Sequence, residues 1–315
     1  MKFTKPALSF PDQLAKLKQR GMVVQDDATA IRWLKSVGYY RLSAYFVPFR
    51  QPDDSYIPGT NLDTVRAIYG FDRKFRLLLL DAIERVEVAL RTAVTYKVAH
   101  AVGPFGYIKP AVYQFDKYWD HQRFIDELYD AEKKSQEVFV EHYRKKYTAE
   151  QDLPIWMATE LLSFGTISRM YAALDPKLRR AIANEYSLTE HYFASWVHTL
   201  SYVRNLCAHH SRVWNRILRI RPKLPNASAA FPYDIPTPDR LYTILVIANH
   251  LLKTIAPRSP WKQRVLTLFD SYPQVPIASM GIPADWRTRP EWTIPPAVAP
   301  PPAAPLVAPA AAAAT

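Results

Sequence analysis

The chain has 315 residues, of which 49% are hydrophobic and 22% charged, so a sizeable buried core is expected and global disorder is excluded. None of its 8 glycines are spaced as a G-x-G-x-x-G motif or a P-loop, which argues against a glycine loop that binds nucleotides. With Cys207 as the single cysteine, neither an intrachain disulfide nor a cysteine-rich zinc site can form. No apolar signal-peptide core or membrane-length apolar run is present, so we expect a cytoplasmic protein without a membrane partner.

Positive charge is concentrated in one segment. The formal net charge is +12, yet residues 191–233 contain no Asp or Glu and hold four of the histidines. Such a segment suits a polyanion, most often RNA or DNA, although a solvated basic helix face gives the same pattern. Its fixed positive charges are Arg204, Arg212, Arg216, Arg219, Arg221 and Lys223.

Helical signals begin near the N-terminus. Ser9 precedes Pro11 at the start of an amphipathic run that ends at Gly21, and an Asp begins a second helix over residues 26–38. Thr60 with Asp63 resembles a capping box for a long helix over 61–99. Its apolar stripe comprises Ile68, Phe75, Leu79, Ala82, Val86, Leu90 and Ala93. We interpret its i,i+4 pairs as ion pairs on the helix surface that support the helix: Asp72–Arg76, Asp81–Arg85 and Glu87–Arg91.

The rest of the chain is also predicted to be helical, without a substantial sheet or an internal repeat. Long helices joined by short connections indicate an all-α bundle. The last 21 residues, 295–315, hold 7 prolines and 10 alanines and should form a disordered tail. The remaining predicted helices are 117–147, 154–174, 176–186, 189–218, 237–256 and 260–270.

Several common catalytic motifs are absent from the sequence, which leaves one candidate segment for a catalytic site. H-E-x-x-H and G-x-S-x-G spacings are absent, and no carboxylate cluster suggests a two-magnesium site. What remains is SYVRNLCAHHSRVWNR, residues 201–216. On a helix, Asn205 and His209 share a face, and the long side chain of Arg204 can reach the same opening. The predicted buried stripe of this helix is Trp196, Leu200, Val203 and Cys207.

These residue types can cleave RNA without a metal or other cofactor. Arginine binds phosphate through two donors, histidine transfers protons near neutral pH, and the RNA supplies its own 2′-hydroxyl nucleophile. The products would be 2′,3′-cyclic phosphate and 5′-hydroxyl ends. An Arg-x4-His pair is common, however, and a helix end with a salt-bridged arginine and an interior histidine fits the same spacing.

RNLCAH, residues 204–209, resembles the R-x4-H signature of HEPN domains. The wider chain resembles the Abi-like abortive-infection family of the AbiD/AbiF type over about residues 5–292. Phe75 stands where leucine is expected, which changes nothing chemical. The matching segments are LSF (8–10), GYYRLS (38–43), FDRKFR (71–76), DAIERVE (81–87), WMATE (156–160), SFG (163–165) and MGIPADW (280–286).

The resemblance implies an all-α, HEPN-type helical bundle and an endoribonuclease that halts growth of phage-infected bacteria. It implies Arg204, Asn205 and His209 as catalytic residues, in a homodimer whose two motifs face one cleft. His210 is a weaker, R-x5-H alternative. The bundle would span 61–219, with helical extensions at 1–60 and 220–294 that support RNA binding or control. Candidate RNA-binding residues are His210, Arg212, Arg216 and Arg219.

Two further features have an ordinary structural interpretation beside the functional one. Glu160 lies in an apolar stretch and needs a partner, for which Arg204 or a helix end would serve as ion pair or support. Aromatic residues at 39–46 could stack RNA bases, although a packed helix seam is the simpler interpretation. These residues are Tyr39, Tyr40, Tyr45 and Phe46.

The main competing function is a non-catalytic RNA-binding regulatory protein that uses the same basic cleft, held by a cognate non-coding RNA. A DNA-binding regulator has no support, because no compact helix-turn-helix signature is evident and the longest basic helix coincides with the R-x4-H motif.

Overall fold

The computed structural model describes residues 2, 4, 6–226 and 231–293, and this part of the chain forms twelve α-helices and no β-strand. The predicted all-α bundle is confirmed. The predicted tail at 295–315 lies outside the described residues. The helices are α1 Phe10–Gln19, α2 Asp27–Val37, α3 Tyr39–Phe46, α4 Leu62–Val102, α5 His121–Lys134, α6 Val138–Lys146, α7 Ile155–Leu161, α8 Phe164–Ala173, α9 Pro176–Ala183, α10 Glu190–Ala208, α11 Leu241–Ile255 and α12 Trp261–Asp270.

The long helix α4 is the centre of the bundle. Its 41 residues make a rod of about 60 Å, and α3, α7, α8, α9, α10, α11 and α12 pack against it. The predicted apolar stripe is buried except for Ala93, which is partly buried. The predicted capping box is wrong, because Asn61 caps the helix by accepting the Asp63 N–H at 2.7 Å. Thr60 instead donates to the Ile57 carbonyl.

Helix α11 is buried nearly all round. Every residue from Leu241 to Leu252 is buried, as expected of a helix enclosed by others. The buried residues form one core cluster that extends from Leu14 to Trp292. The C-terminal segment therefore contributes to the same core as α4 and α10. The division into a 61–219 bundle and two extensions stays a prediction.

Three predicted helices end early or are interrupted. The 117–147 segment breaks between α5 and α6, and the 154–174 segment breaks where Ser163 caps α8 by accepting the Thr166 N–H at 3.1 Å. The 189–218 helix is wrong beyond Ala208, since His209 is the C-cap of α10. His210 then adopts a left-handed backbone with φ of 56°. The segment that follows α10 is an irregular loop, and we call residues 209–223 the basic loop.

A buried carboxylate explains why the basic loop leaves the helical path. Asp72 of α4 is fully buried, and its Oδ1 accepts the N–H groups of Val213 at 3.1 Å and Trp214 at 2.6 Å. Its Oδ2 accepts the Tyr45 hydroxyl at 2.5 Å and the Arg76 guanidinium. The prediction of Asp72–Arg76 as surface support is therefore wrong. The pair lies inside the core and joins α3, α4 and the basic loop.

Hydrogen-bond donors surround the Asp72 carboxylate. Burial raises the pKa of Asp72, and the hydrogen bonds from Tyr45, Arg76, Trp214 and Val213 oppose that rise. Four converging donors, one of them a guanidinium, favour the charged form. Burial also raises the pKa of Tyr45, which keeps its hydroxyl protonated and able to donate.

Candidate active site at the end of helix α10

The R-x4-H motif occupies the last turn of α10. The predicted stripe of Trp196, Leu200, Val203 and Cys207 is buried, so this side of the helix is fixed in the core. The opposite side brings the motif to the surface. The Arg204 side chain is 42% exposed, and both Asn205 and His209 are exposed. The structure therefore places all three predicted catalytic side chains at one accessible helix end.

Local hydrogen bonds fix the backbone at this helix end. The N–H of His209 donates to the Asn205 carbonyl at 3.0 Å, and the N–H of His210 donates to the Cys207 carbonyl at 3.0 Å. The Ser211 N–H reaches the Leu206 carbonyl at 2.8 Å. These bonds satisfy carbonyl groups that a helix end otherwise leaves unpaired. The side chains of Asn205 and His209 take no part in them.

Arg204 lies beside a carboxylate that the sequence analysis missed in this role. The Nε atom of Arg204 is 3.8 Å from Oε2 of Glu87 on α4. Glu87 also pairs with Arg91 at 3.0 Å, as predicted, but both side chains are mostly buried rather than on the surface. Arg91 in turn donates to the carbonyls of Thr159 and Leu162 at the end of α7. Glu87 thus connects the motif arginine to α4 and α7.

A groove of about 410 Å³ opens beside Arg204. Its wall on α4 is acidic and partly apolar. Leu77 is 55% exposed there, and Glu84 is exposed without an ion pair among the described residues. The lining residues are Leu77, Leu80, Asp81, Glu84, Glu87 and Arg204.

The four predicted RNA-binding residues differ in exposure and in whether their side chains are already hydrogen-bonded. Arg212 is half-buried and donates to the Ala44 carbonyl of α3, and burial lowers its pKa. Arg216 donates to the Arg212 carbonyl at 3.0 Å. The side chains of His210 and Arg219 are exposed. Arg212 and Arg216 therefore help to dock the basic loop, whereas His210 and Arg219 are available to a ligand.

Arg41 is a second residue that sequence reasoning did not connect with the site. Its guanidinium donates to the carbonyl of His210. With the Arg212 bond to Ala44, this contact fixes the basic loop on α3. The GYYRLS segment that contains Arg41 carries a family resemblance, but nothing in its local sequence indicates a partner so distant along the chain.

Glu160 forms no ion pair with Arg204 or any other described residue. It is exposed and lines an open groove with Lys134 and Glu137, between α5 and α7. The carboxylate nearest Arg204 is Glu87 instead. Of the aromatic residues at 39–46, Tyr45 and Phe46 are buried in the predicted seam, whereas Tyr40 is 91% exposed.

Two further observations concern other chemistries. Burial raises the pKa of the Cys207 thiol to about 12, so this cysteine is poorly suited to act as a nucleophile. Within the described ranges, no three His, Cys, Asp or Glu residues are grouped as a metal site would require.

A family model described as Abi-like protein matches residues 32–215, more than half of the chain. The chain belongs to this family. The matched region begins in α2 and ends within the basic loop, so it contains the whole R-x4-H motif and Asp72. A comparison with curated proteins and one with solved structures each gave no match.

Membership of the Abi-like family supports a role in abortive infection. None of the helices in the described part of the chain combines the length and apolar character needed to span a bilayer.

Proposed function

We propose that this Abi-like protein is a metal-independent endoribonuclease with a HEPN-type site made of Arg204, Asn205 and His209. The observation that carries the proposal is the position of these side chains at the end of α10. All three reach solvent there, while the opposite side of the helix is anchored in the core. A functional group on a rigid element is held more accurately than one on a loose loop.

Each residue has a distinct chemical role in this proposal. The RNA 2′-hydroxyl attacks the adjacent phosphorus, and the bond from phosphorus to the 5′-oxygen breaks. A base takes the proton of the 2′-hydroxyl and an acid gives a proton to the departing 5′-oxygen, and the His209 imidazole supplies one of these two groups. The Arg204 guanidinium stabilises the negative charge that builds on the phosphate oxygens. Asn205, one turn from His209, donates to a phosphate oxygen or orients the imidazole. Glu87 keeps Arg204 at the groove.

The nucleophile determines the first test. Because the 2′-hydroxyl comes from the RNA, we expect cleavage to continue in EDTA and to leave 2′,3′-cyclic phosphate and 5′-hydroxyl ends. The measurement uses purified protein, end analysis of cleaved RNA, and a matched substrate with 2′-deoxyribose at the cut site, which should stay intact. Ends with a 3′-hydroxyl, or loss of all cleavage in EDTA, would refute this mechanism. RNA that binds but stays whole would favour the non-catalytic regulatory alternative.

We further propose that the active species is a homodimer with a composite site. One copy supplies one His209, whereas acid–base cleavage is best served by two proton-transfer groups on opposite sides of the phosphate. The surface beside Arg204 favours a second copy. It presents exposed Leu77 and the acidic Glu84, and the basic loop, which begins at His209 of the motif, presents exposed Ile217 and Arg219. A twofold axis pairs such patches with each other.

A mixing experiment tests the shared site. We expect an excess of His209→Ala protein to inhibit the wild-type enzyme, because heterodimers lack one of the two imidazoles. Activity per wild-type chain should fall as heterodimer forms, measured by RNA cleavage after subunit exchange. The control is an excess of Leu77→Glu/His209→Ala protein, whose added charge should prevent pairing and so prevent inhibition. If the activity per wild-type chain stays constant in both mixtures, each copy works alone and the shared site is refuted.

A further inference from the structure

A second groove, distinct from the one beside Arg204, opens between α8, α10 and the segment that precedes α5. Its volume is about 600 Å³, ample for a nucleotide-sized ligand. We call it the Tyr118 groove. Its lining includes Tyr118, Trp119, Arg123, Glu127, Arg169 and His198.

The Tyr118 ring is an exposed aromatic surface on a rigid turn. It is 71% exposed, and the Nζ atom of Lys117 lies 4.9 Å from its centre. The side chain of Asp116 accepts the N–H groups of Tyr118 at 2.7 Å and Trp119 at 2.9 Å. Arg123 donates to the Tyr118 carbonyl. These bonds fix the backbone, so the ring is presented to solvent without the entropy cost of ordering a loose loop on binding.

Arg169 lines the same groove and keeps a terminal nitrogen without a hydrogen-bond partner among the described residues. Its Nη2 donates to Glu127 at 2.7 Å and 2.9 Å, and its guanidinium lies 5.5 Å from the Trp119 ring centre. Its Nε is buried without a hydrogen-bond partner, and its Nη1 donates to none of the described residues, so Nη1 is the group left for a ligand. Desolvation would raise the pKa of Glu127, but hydrogen bonds from Thr166, Arg169 and Trp119 hold it below its ordinary value. Glu127 is thus a fixed counter-ion that positions Arg169.

His198 links this groove to the R-x4-H motif. His198, Asn205 and His209 lie at i, i+7 and i+11, which places them within about 20° of one face of α10. The distance along the helix axis from His198 to His209 is about 16 Å. The His198 residue is exposed to solvent, and partial desolvation of its ring together with the charge of Arg169 lowers its pKa. A neutral imidazole offers one donor and one acceptor, as the edge of a nucleobase does.

We propose that the Tyr118 groove binds one nucleotide of a single-stranded RNA whose neighbouring segment lies at Arg204 and His209. An unstacked base lies on the Tyr118 ring and meets His198 at its edge, while Lys117 and Arg169 contact the phosphates. Aromatic rings interleaved with arginine and lysine are typical of single-strand binding, and a base within a duplex could not reach the ring. This inference rests on the proposed ribonuclease function and adds the path of the RNA strand across the protein surface.

The test measures RNA binding apart from cleavage. In full-length His209→Ala protein, we expect Tyr118→Ala to weaken binding of a labelled single-stranded oligouridine by about 5-fold to 100-fold, as loss of one base stack does. Tyr118→Phe should keep nearly all affinity, because the ring remains. Tyr147→Ala is the matched control, since Tyr147 is also exposed beside a lysine, with Lys146 Nζ 5.4 Å from its ring centre. Fluorescence anisotropy at fixed salt gives each Kd.

The possible failures are distinguishable. Equal affinity of the Tyr118→Ala protein and its parent would overturn the Tyr118 groove while leaving cleavage at His209 in place. Equal losses in Tyr118→Ala and Tyr147→Ala would mean that any exposed tyrosine contributes, and would also overturn it. Absence of RNA binding by the parent protein would overturn the groove and the proposed function together.

Discussion

Replacing His209 by alanine should lower the rate of RNA cleavage by about 10²-fold to 10⁴-fold, the usual contribution of a proton-transfer group. The fold should remain, because the His209 side chain is exposed and the hydrogen bonds at this helix end come from backbone atoms. Surface substitutions of this kind change stability by about 0.5 kcal/mol or less. The measurement is single-turnover cleavage of labelled RNA together with thermal unfolding, and loss of growth arrest in infected cells should accompany it.

The control for this prediction is His191→Ala. His191 is exposed on the first turn of the same helix, so it undergoes an identical chemical change away from the motif. We expect it to retain cleavage. His210→Ala should reduce cleavage less than His209→Ala does, and the reverse order would move the catalytic role to His210. Full activity of His209→Ala protein would exclude the proposed site.

The sequence predicted those helix boundaries that local chemistry sets. Ser9 caps α1, Asp26 caps α2, and Gly38 ends α2 with a φ of 87°, each as expected. The end of α10 was predicted ten residues too late, because nothing in residues 209–218 forbids a helix. The cause is tertiary: the buried carboxylate of Asp72 binds two backbone N–H groups of the basic loop.

The candidate site shows the same division between local and long-range signals. Helical periodicity was enough to separate the buried stripe of α10 from its exposed motif residues. It could not identify Glu87 as the neighbour of Arg204, since Glu87 already had a local partner in Arg91 and its second contact joins distant helices. The i,i+4 spacing of Asp72 and Arg76 likewise gave no sign of burial, because surface pairs and core pairs share that spacing.

Replacing Asp72 by asparagine should lower the free energy of unfolding by about 3–5 kcal/mol, the range expected when one partner of a buried ion pair is removed. The amide is nearly the same size, so packing is preserved. However, the neutral asparagine leaves the guanidinium of Arg76 buried without a counter-charge. The amide also has an N–H₂ donor group where aspartate has a second acceptor oxygen, so two donors then face each other. The two N–H groups of the basic loop, or Tyr45 and Arg76, then lose their partner.

Chemical unfolding of Asp72→Asn and of a matched surface variant measures this effect. Asp130→Asn removes the acid of another i,i+4 pair, Asp130–Lys134, whose side chains are 68% and 76% exposed. Because water and salt screen exposed charges, that change should cost about 1 kcal/mol or less. Tyr45→Phe should fall between the two, since it removes one neutral donor from the same carboxylate. Equal stabilities of Asp72→Asn and Asp130→Asn would contradict the buried network.

The Asp72→Asn protein should also cleave RNA more slowly than the wild type at temperatures where it is still folded, because the basic loop that begins at His209 loses its anchor on α4.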